Sequence, residues 1–244
     1  MVPGFISDRI RRPPPTGAPV VPGSTPVIAF GNPTTARVAT LGLNPSRVEF
    51  LSPSGALMDA DRRLETLPAL GVITLRGALP LLVERVWYGC CTYFMRNPYR
   101  RWFDQLEAVL RPMGASYYAG SACHLDLVQW ATDPTWGHLD CKSRATLLNE
   151  DVPFLCQQLA AFGVTLLLIN GRSVVREFEQ TFGRQLDLVD TLRVGRQTAL
   201  VFAGRVPPHI RVVAWSLNLR SSYGVTNELR RRLAERVATV ALHP

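Results

Sequence analysis

Residues 38–46 read Val-Ala-Thr-Leu-Gly-Leu-Asn-Pro-Ser. The apolar run is too short for a helix and closes on turn residues, so it reads as a buried strand delivering Asn44 to a loop. Taken alone, the stretch fits equally well a plain strand-to-loop turn in which Asn44 bonds only local backbone. Ligand sites of α/β sheets lie at the C-terminal edge of such strands, which makes the neighbouring strand ends the next thing to read.

Further apolar runs bounded by turns recur at 117–128, 163–170, 198–205 and 210–217, and the first spans 36–43. Helical spacing fills 56–70, 78–95, 99–112, 143–161, 172–182 and 225–241. This alternation predicts an α/β fold, a three-layer α/β/α sandwich on a mainly parallel central sheet of four to five strands. In 99–112, Trp102, Phe103, Leu106, Val109 and Leu110 share one face and read as core. The last helix sets Leu229, Leu233, Val237 and Val240 on one face, with Arg230, Arg231, Arg232 and Arg236 around the rest, a pattern that fits a solvated face.

Residues 1–26 carry Pro3, Pro13, Pro14, Pro15, Pro19, Pro22 and Pro26 with Arg9, Arg11 and Arg12, which predicts an extended or poorly ordered arm. Residues 27–244 then form a single α/β domain, a size that can bury a full core.

Lysine and arginine total 27 against 19 aspartate and glutamate, for a formal charge of +8. That balance favours a polyanionic partner. Lys142 is the only lysine, and the planar fork of arginine suits phosphate. Five cysteines without paired metal-ligand spacing fit buried thiols in a reducing cytoplasm, the alternative being zinc held by Cys123, His124, His138 and Cys141. No segment reaches the apolar length of a membrane span, and the N-terminus lacks the apolar core of a secretory signal.

Three other strand ends carry polar groups. After Val212-Val213-Ala214-Trp215 comes Ser216-Leu217-Asn218-Leu219-Arg220-Ser221-Ser222-Tyr223-Gly224, a hydroxyl-rich loop before a basic helix that can hold a phosphate through Arg220, Ser221, Ser222 and backbone amides. In Ser121-Ala122-Cys123-His124-Leu125-Asp126, alternation puts His124 and Asp126 on one face of an otherwise apolar strand. Asn170-Gly171 ends a third strand, with Asn170 read as a helix cap and Gly171 as a steric requirement.

Together these segments resemble the uracil-DNA glycosylase superfamily, across roughly residues 36–241. Gly42-Leu43-Asn44-Pro45 is similar to the asparagine version of that family's first motif, and Ser216 to Gly224 corresponds loosely to its serine-rich second motif. The resemblance implies that Asn44 positions the water that attacks the sugar C1′, with Asn218 as a further catalytic group and Asp126 as the nearby carboxylate to test as an alternative base. It implies that Leu43, Phe50 and His124 contact the extruded base, Phe50 by stacking. It further implies that Ser46, Arg47, Leu219, Arg220, Ser221, Ser222 and Tyr223 contact DNA, with Leu219, Arg220 and Tyr223 around the wedge that fills the vacated stack, the alternative for Leu219 being to pack inward.

The expected activity is that of a monofunctional DNA glycosylase acting without cofactor or metal. It would act as a monomer on duplex or single-stranded DNA with an extruded base, in repair or in defence against phage. An imidazole where the family has an amide alters the pattern offered to the base, so the substrate class extends from uracil to modified pyrimidines, including hypermodified phage cytosines. The alternative is a non-catalytic nucleic-acid-binding protein on the same scaffold. A different hydrolase is disfavoured because neither a phosphate-cradling glycine loop nor a nucleophile elbow is present.

Overall fold

The computed structural model describes residues 1–59, 63–220 and 225–242. The chain is α/β, in the expected three-layer class, with a six-stranded mixed sheet. Strands β1 (Val38–Gly42), β2 (Ala122–Asp126) and β3 (Leu166–Asn170) are buried at every position, as mostly apolar strands covered on both faces should be. Strands β4 (Asp187–Val194), β5 (Gln197–Val206) and β6 (Ile210–Trp215) complete the order β2-β1-β3-β6-β5-β4.

β1 pairs in parallel with β3, and β3 with β6, so Thr40 lies beside Leu168, which lies beside Val213, and Asn170 lies beside Trp215. The C-terminal ends of these three strands therefore share one edge. Both of the loops singled out above, after Gly42 and after Trp215, leave the sheet there. β4 and β5 form an antiparallel hairpin, and β5 runs antiparallel to β6. The hairpin turn places Gly195 at φ +57°, a left-handed conformation that favours glycine.

Helices α2 (Pro80–Cys91), α3 (Arg100–Leu110), α4 (Cys141–Ala161), α5 (Arg172–Phe182) and α6 (Asn227–Leu242) fall within the predicted segments or a residue or two beyond them. Of the predicted helix at 56–70, the described residues 56–59 and 63–70 are not helical. Leu57 makes a β-bridge with Leu51 and Thr66 one with Ser24, while Gly55 turns the chain at φ +83°. Pairing with distant backbone satisfies these groups before a local helix can.

The predicted loose arm is also corrected. Residues Gly4–Arg11 form a helix, α1, whose Ile6, Arg9 and Ile10 are buried. Its prolines sit where they terminate rather than interrupt: Pro3 precedes the first turn and Pro13 follows the last.

The chain groups into two compact units instead of an arm and one body. The first comprises 1–32, 43–98 and 125–158; the second comprises 33–42, 99–124 and 159–244. In the second unit α3 packs against α6, α5 against β3 and β6, and α6 against β4, β5 and β6. No helix among the described residues is long and apolar enough to cross a membrane.

Candidate functional site

In the first unit the chain turns at Leu43-Asn44-Pro45-Ser46 into a short 3-10 turn, Arg47–Glu49. A second segment, 128–133, receives this loop. The Val128 N–H donates to the Leu43 carbonyl at 3.0 Å. Asn44 Nδ2 donates to the Trp130 carbonyl at 3.1 Å and to Thr132 Oγ1 at 3.1 Å. A carbonyl can only accept, so the Trp130 contact fixes which end of the amide is nitrogen. Both amide protons are consumed, and Asn44 Oδ1 is left as the acceptor the side chain offers to anything outside.

Other predicted groups of this loop serve its framework. Leu43 is partly buried against Val128, Trp130, Trp136, Leu139 and Leu147, so its side chain is a core contact. Arg47 Nη1 pairs with Asp133 Oδ1 at 2.6 Å, with both side chains about two-fifths exposed, and this ties the two segments together once more. Ser46 accepts the Glu49 N–H at its carbonyl, 3.0 Å, and its hydroxyl makes no cap bond. Phe50 has no exposed surface at all, which corrects its expected role as an open stacking platform: the ring is core of this unit.

Sequence reading passed over Glu49. Its carboxylate is buried and accepts from Tyr93 Oη at 2.8 Å and, more weakly, from Arg63 Nη1 at 3.5 Å. Burial pushes the carboxyl up to about 7, assisted by the negative charge of Asp126 and opposed by Arg63 and the Tyr93 hydrogen bond. Asp126 itself is buried at the end of β2, and its backbone carbonyl accepts Gln129 Nε2 at 3.0 Å. A carboxylate set between Val48, Phe50 and Leu51 is the signal that could have flagged Glu49.

The raised Glu49 carboxyl makes stability depend on pH. Between 4.5 and about 7 the folded chain holds a proton that the unfolded chain has released. Stability is thus full below that window and falls as pH rises through it, by about 3 kcal/mol. Urea unfolding at pH 5 and pH 8 should show this fall in the wild type and a flatter profile in Glu49→Gln, whose amide oxygen still accepts from Tyr93. Parallel profiles would remove Glu49 as the cause.

In the second unit, Thr40 Oγ1 lies 2.7 Å from His124 Nδ1 and also hydrogen-bonds the Tyr117 hydroxyl. The His124 ring meets Trp102 and Phe103 edge-on, with centroids at 5.1 and 5.4 Å. His124 is buried in this aromatic and hydroxyl cage, which fixes its ring and leaves little of it to read a base.

The loop after β6 is organised by Asn170, the residue read as a cap. No side-chain cap bond forms at α5, whose N-cap position is held by Gly171. Instead Asn170 Oδ1 accepts Trp215 Nε1 at 2.9 Å and the Leu219 N–H at 3.1 Å, while Nδ2 faces Asn218 Oδ1 at 3.4 Å. Asn218 Oδ1 also takes the Arg220 N–H at 3.0 Å. Gly171 has φ +97°, a conformation that favours glycine, and a Cβ there would meet that of Asn218 in ordinary contact at 3.4 Å.

Leu219 is wholly buried and packs inward, the alternative to its place in a wedge. Arg220 is exposed; its Nη2 donates to Tyr99 Oη at 2.9 Å, and its guanidinium lies 5.5 Å from the centre of the Tyr99 ring. Ser221, Ser222 and Tyr223 lie outside the described residues. On α6, Arg231 pairs with Glu235, Arg232 with Glu228 and Arg236 with Asp190, as expected of a solvated face.

No protein-family model matches the chain, and no curated protein matches it.

Proposed function

We propose that this protein is a DNA glycosylase that hydrolyses the N-glycosidic bond of an extruded uracil or modified pyrimidine and leaves an abasic site. The observation that supports it most is Asn44: its amide nitrogen is tied down twice, so its oxygen is presented in one orientation at the end of a buried strand. A carbonyl oxygen so held accepts a hydrogen bond from water and aligns it for attack at C1′. It does not remove the proton as a carboxylate would, so the reaction depends on a good leaving base and on the phosphates that stabilise an oxocarbenium-like sugar. Extruding the nucleotide costs a few kcal/mol, which contacts to the backbone offset. The formal charge of +8 and the exposed Arg220 suit that demand. In this reading the chain acts in the cytoplasm as a monomer without cofactor, in repair or in defence against phage with modified cytosine.

The test is release of free base from oligonucleotides carrying uracil or a modified cytosine, followed by alkali cleavage at abasic sites. Wild type should yield cleaved strands, and Asn44→Ala, with its water no longer aligned, should be slower by about 10²-fold. Equal product from both would take Asn44 out of the reaction.

A second reading, a nucleic-acid-binding protein without catalysis, is favoured by the burial of Phe50 and Leu219, which withdraws the stacking platform and the wedge. Under it, wild type leaves every oligonucleotide intact while Arg220→Ala weakens DNA binding.

A further inference from the structure

The loop that carries Asn44 rests on segment 128–133, and that segment is held in turn by the N-terminal thirty residues. Val21 N–H donates to the Ala131 carbonyl at 2.9 Å, Val27 N–H to Gln129 at 2.8 Å, and Asp133 N–H to Pro19 at 3.0 Å. Val20 and Thr132 form an antiparallel bridge. Behind this ladder lies one wholly buried ion pair. Arg9 Nη2 meets Asp151 Oδ1 of α4 at 2.7 Å, and Arg9 Nε donates to Gln129 Oε1 at 3.3 Å. Asp151 Oδ2 accepts the Gln129 N–H at 2.8 Å. Gln129 is thus gripped at backbone and side chain, one residue before the carbonyl that takes the Asn44 amide.

We propose that Arg9 is a positioning residue for Asn44, acting through Asp151 and Gln129 on the Trp130 carbonyl and Thr132 hydroxyl that hold the Asn44 amide. Docking α1 needs no charge, because Ile6 and Ile10 already bury its face. Burial holds the Arg9 guanidinium below and the Asp151 carboxyl above their usual ranges, against the pull of their own pairing. Arg9 Nη1 has no hydrogen-bond partner among the described residues. A group kept at that cost, with one bond to Gln129 and the other to the carboxylate that holds the Gln129 N–H, is explained by what Gln129 orients.

The catalytic half of this inference rests on the reading of Asn44 as the water-positioning residue, so the test has two arms. In the first, kcat and KM of the full chain are measured on an oligonucleotide carrying one deoxyuridine or one 5-hydroxymethyl-deoxycytidine. Arg9→Met should lower kcat by about 10-fold to 100-fold with KM within about 2-fold, since the residue is buried away from DNA. Arg9→Lys, which keeps the ion pair, should recover part of the loss, and Ile6→Val on the same helix should match wild type.

In the second arm, the side-chain amide protons of Asn44 are followed by hydrogen exchange in the same proteins, with no substrate. They should exchange about 10-fold faster in Arg9→Met than in wild type, with Arg9→Lys between. Unchanged exchange, or the same change in Ile6→Val, overturns the proposal. If Arg9→Met does not fold, Arg9→Lys carries the exchange arm alone. If wild type releases no base, the glycosylase reading fails, and exchange still decides whether Arg9 holds Asn44.

Discussion

Asp151→Ala should lower the free energy of unfolding by about 3–5 kcal/mol, the cost of leaving a buried guanidinium without its counter-charge. Arg9 and Asp151 are each nearly inaccessible to solvent, and the carboxylate also accepts the Gln129 N–H, so alanine strands a charge and an amide together. Arg9 already lies between Trp130 and Phe154, 5.4 and 5.8 Å from their ring centres, and those faces cannot replace a carboxylate. Asp151→Asn should cost less, because its oxygen still meets Gln129 or Arg9. Urea titrations of the three proteins give the comparison. A loss below about 1 kcal/mol in the alanine variant would mean that water reaches Arg9 and replaces the pair.

Asn170→Ala should cost about 2–6 kcal/mol, the sum of two orphaned donors at about 1–3 kcal/mol each. The Trp215 indole N–H and the Leu219 N–H both end on one oxygen, and both residues have no exposed surface. Asn170→Asp preserves that oxygen and should retain most of the stability, although it turns the Asn218 contact from donor to acceptor. Urea titrations of the two variants and the wild type give the comparison. Equal stability of the alanine variant and wild type would show the indole finding another acceptor.

The elements that sequence resolved are those whose burial is uniform. Leu166–Ile169 is apolar at every position, and the following Arg172–Phe182 carries Val174, Val175 and Phe178 on one buried face, so the helix was readable with both its bounds and the strand with its C-terminal end, its start lying three residues after the predicted 163. β4 escaped because its exposed Leu188 and Val189 are set among Asp187, Asp190 and Arg193, and its place is fixed by pairing with β5. α1 escaped because seven prolines in 26 residues outweighed a helical turn whose stability comes from burial of Ile6, Arg9 and Ile10 against distant partners.

The candidate site divides along the same line. Asn44 was legible because a turn after a buried run announces it. What holds Asn44 was not, since Trp130 and Thr132 lie more than eighty residues away. Leu219 was open between wedge and core and Asn170 was misread as a cap for the reciprocal reason: a bond between residues 49 apart turned one inward and made the other a hub.

The two compact units interleave in the chain, with boundaries after residues 32, 42, 98, 124 and 158. Neither is a continuous stretch of polypeptide, so no single cut releases one of them whole. Removing the first 32 residues takes away the strand-like edge under 128–133, and stopping at residue 158 discards β3, β4, β5 and β6 from the sheet. Dissection by fragments, the ordinary way to assign activity to part of a chain, is therefore expected to return inactive pieces here wherever the cut falls. Point substitutions in the intact chain, or two fragments refolded together, are the routes that respect how this polypeptide is threaded.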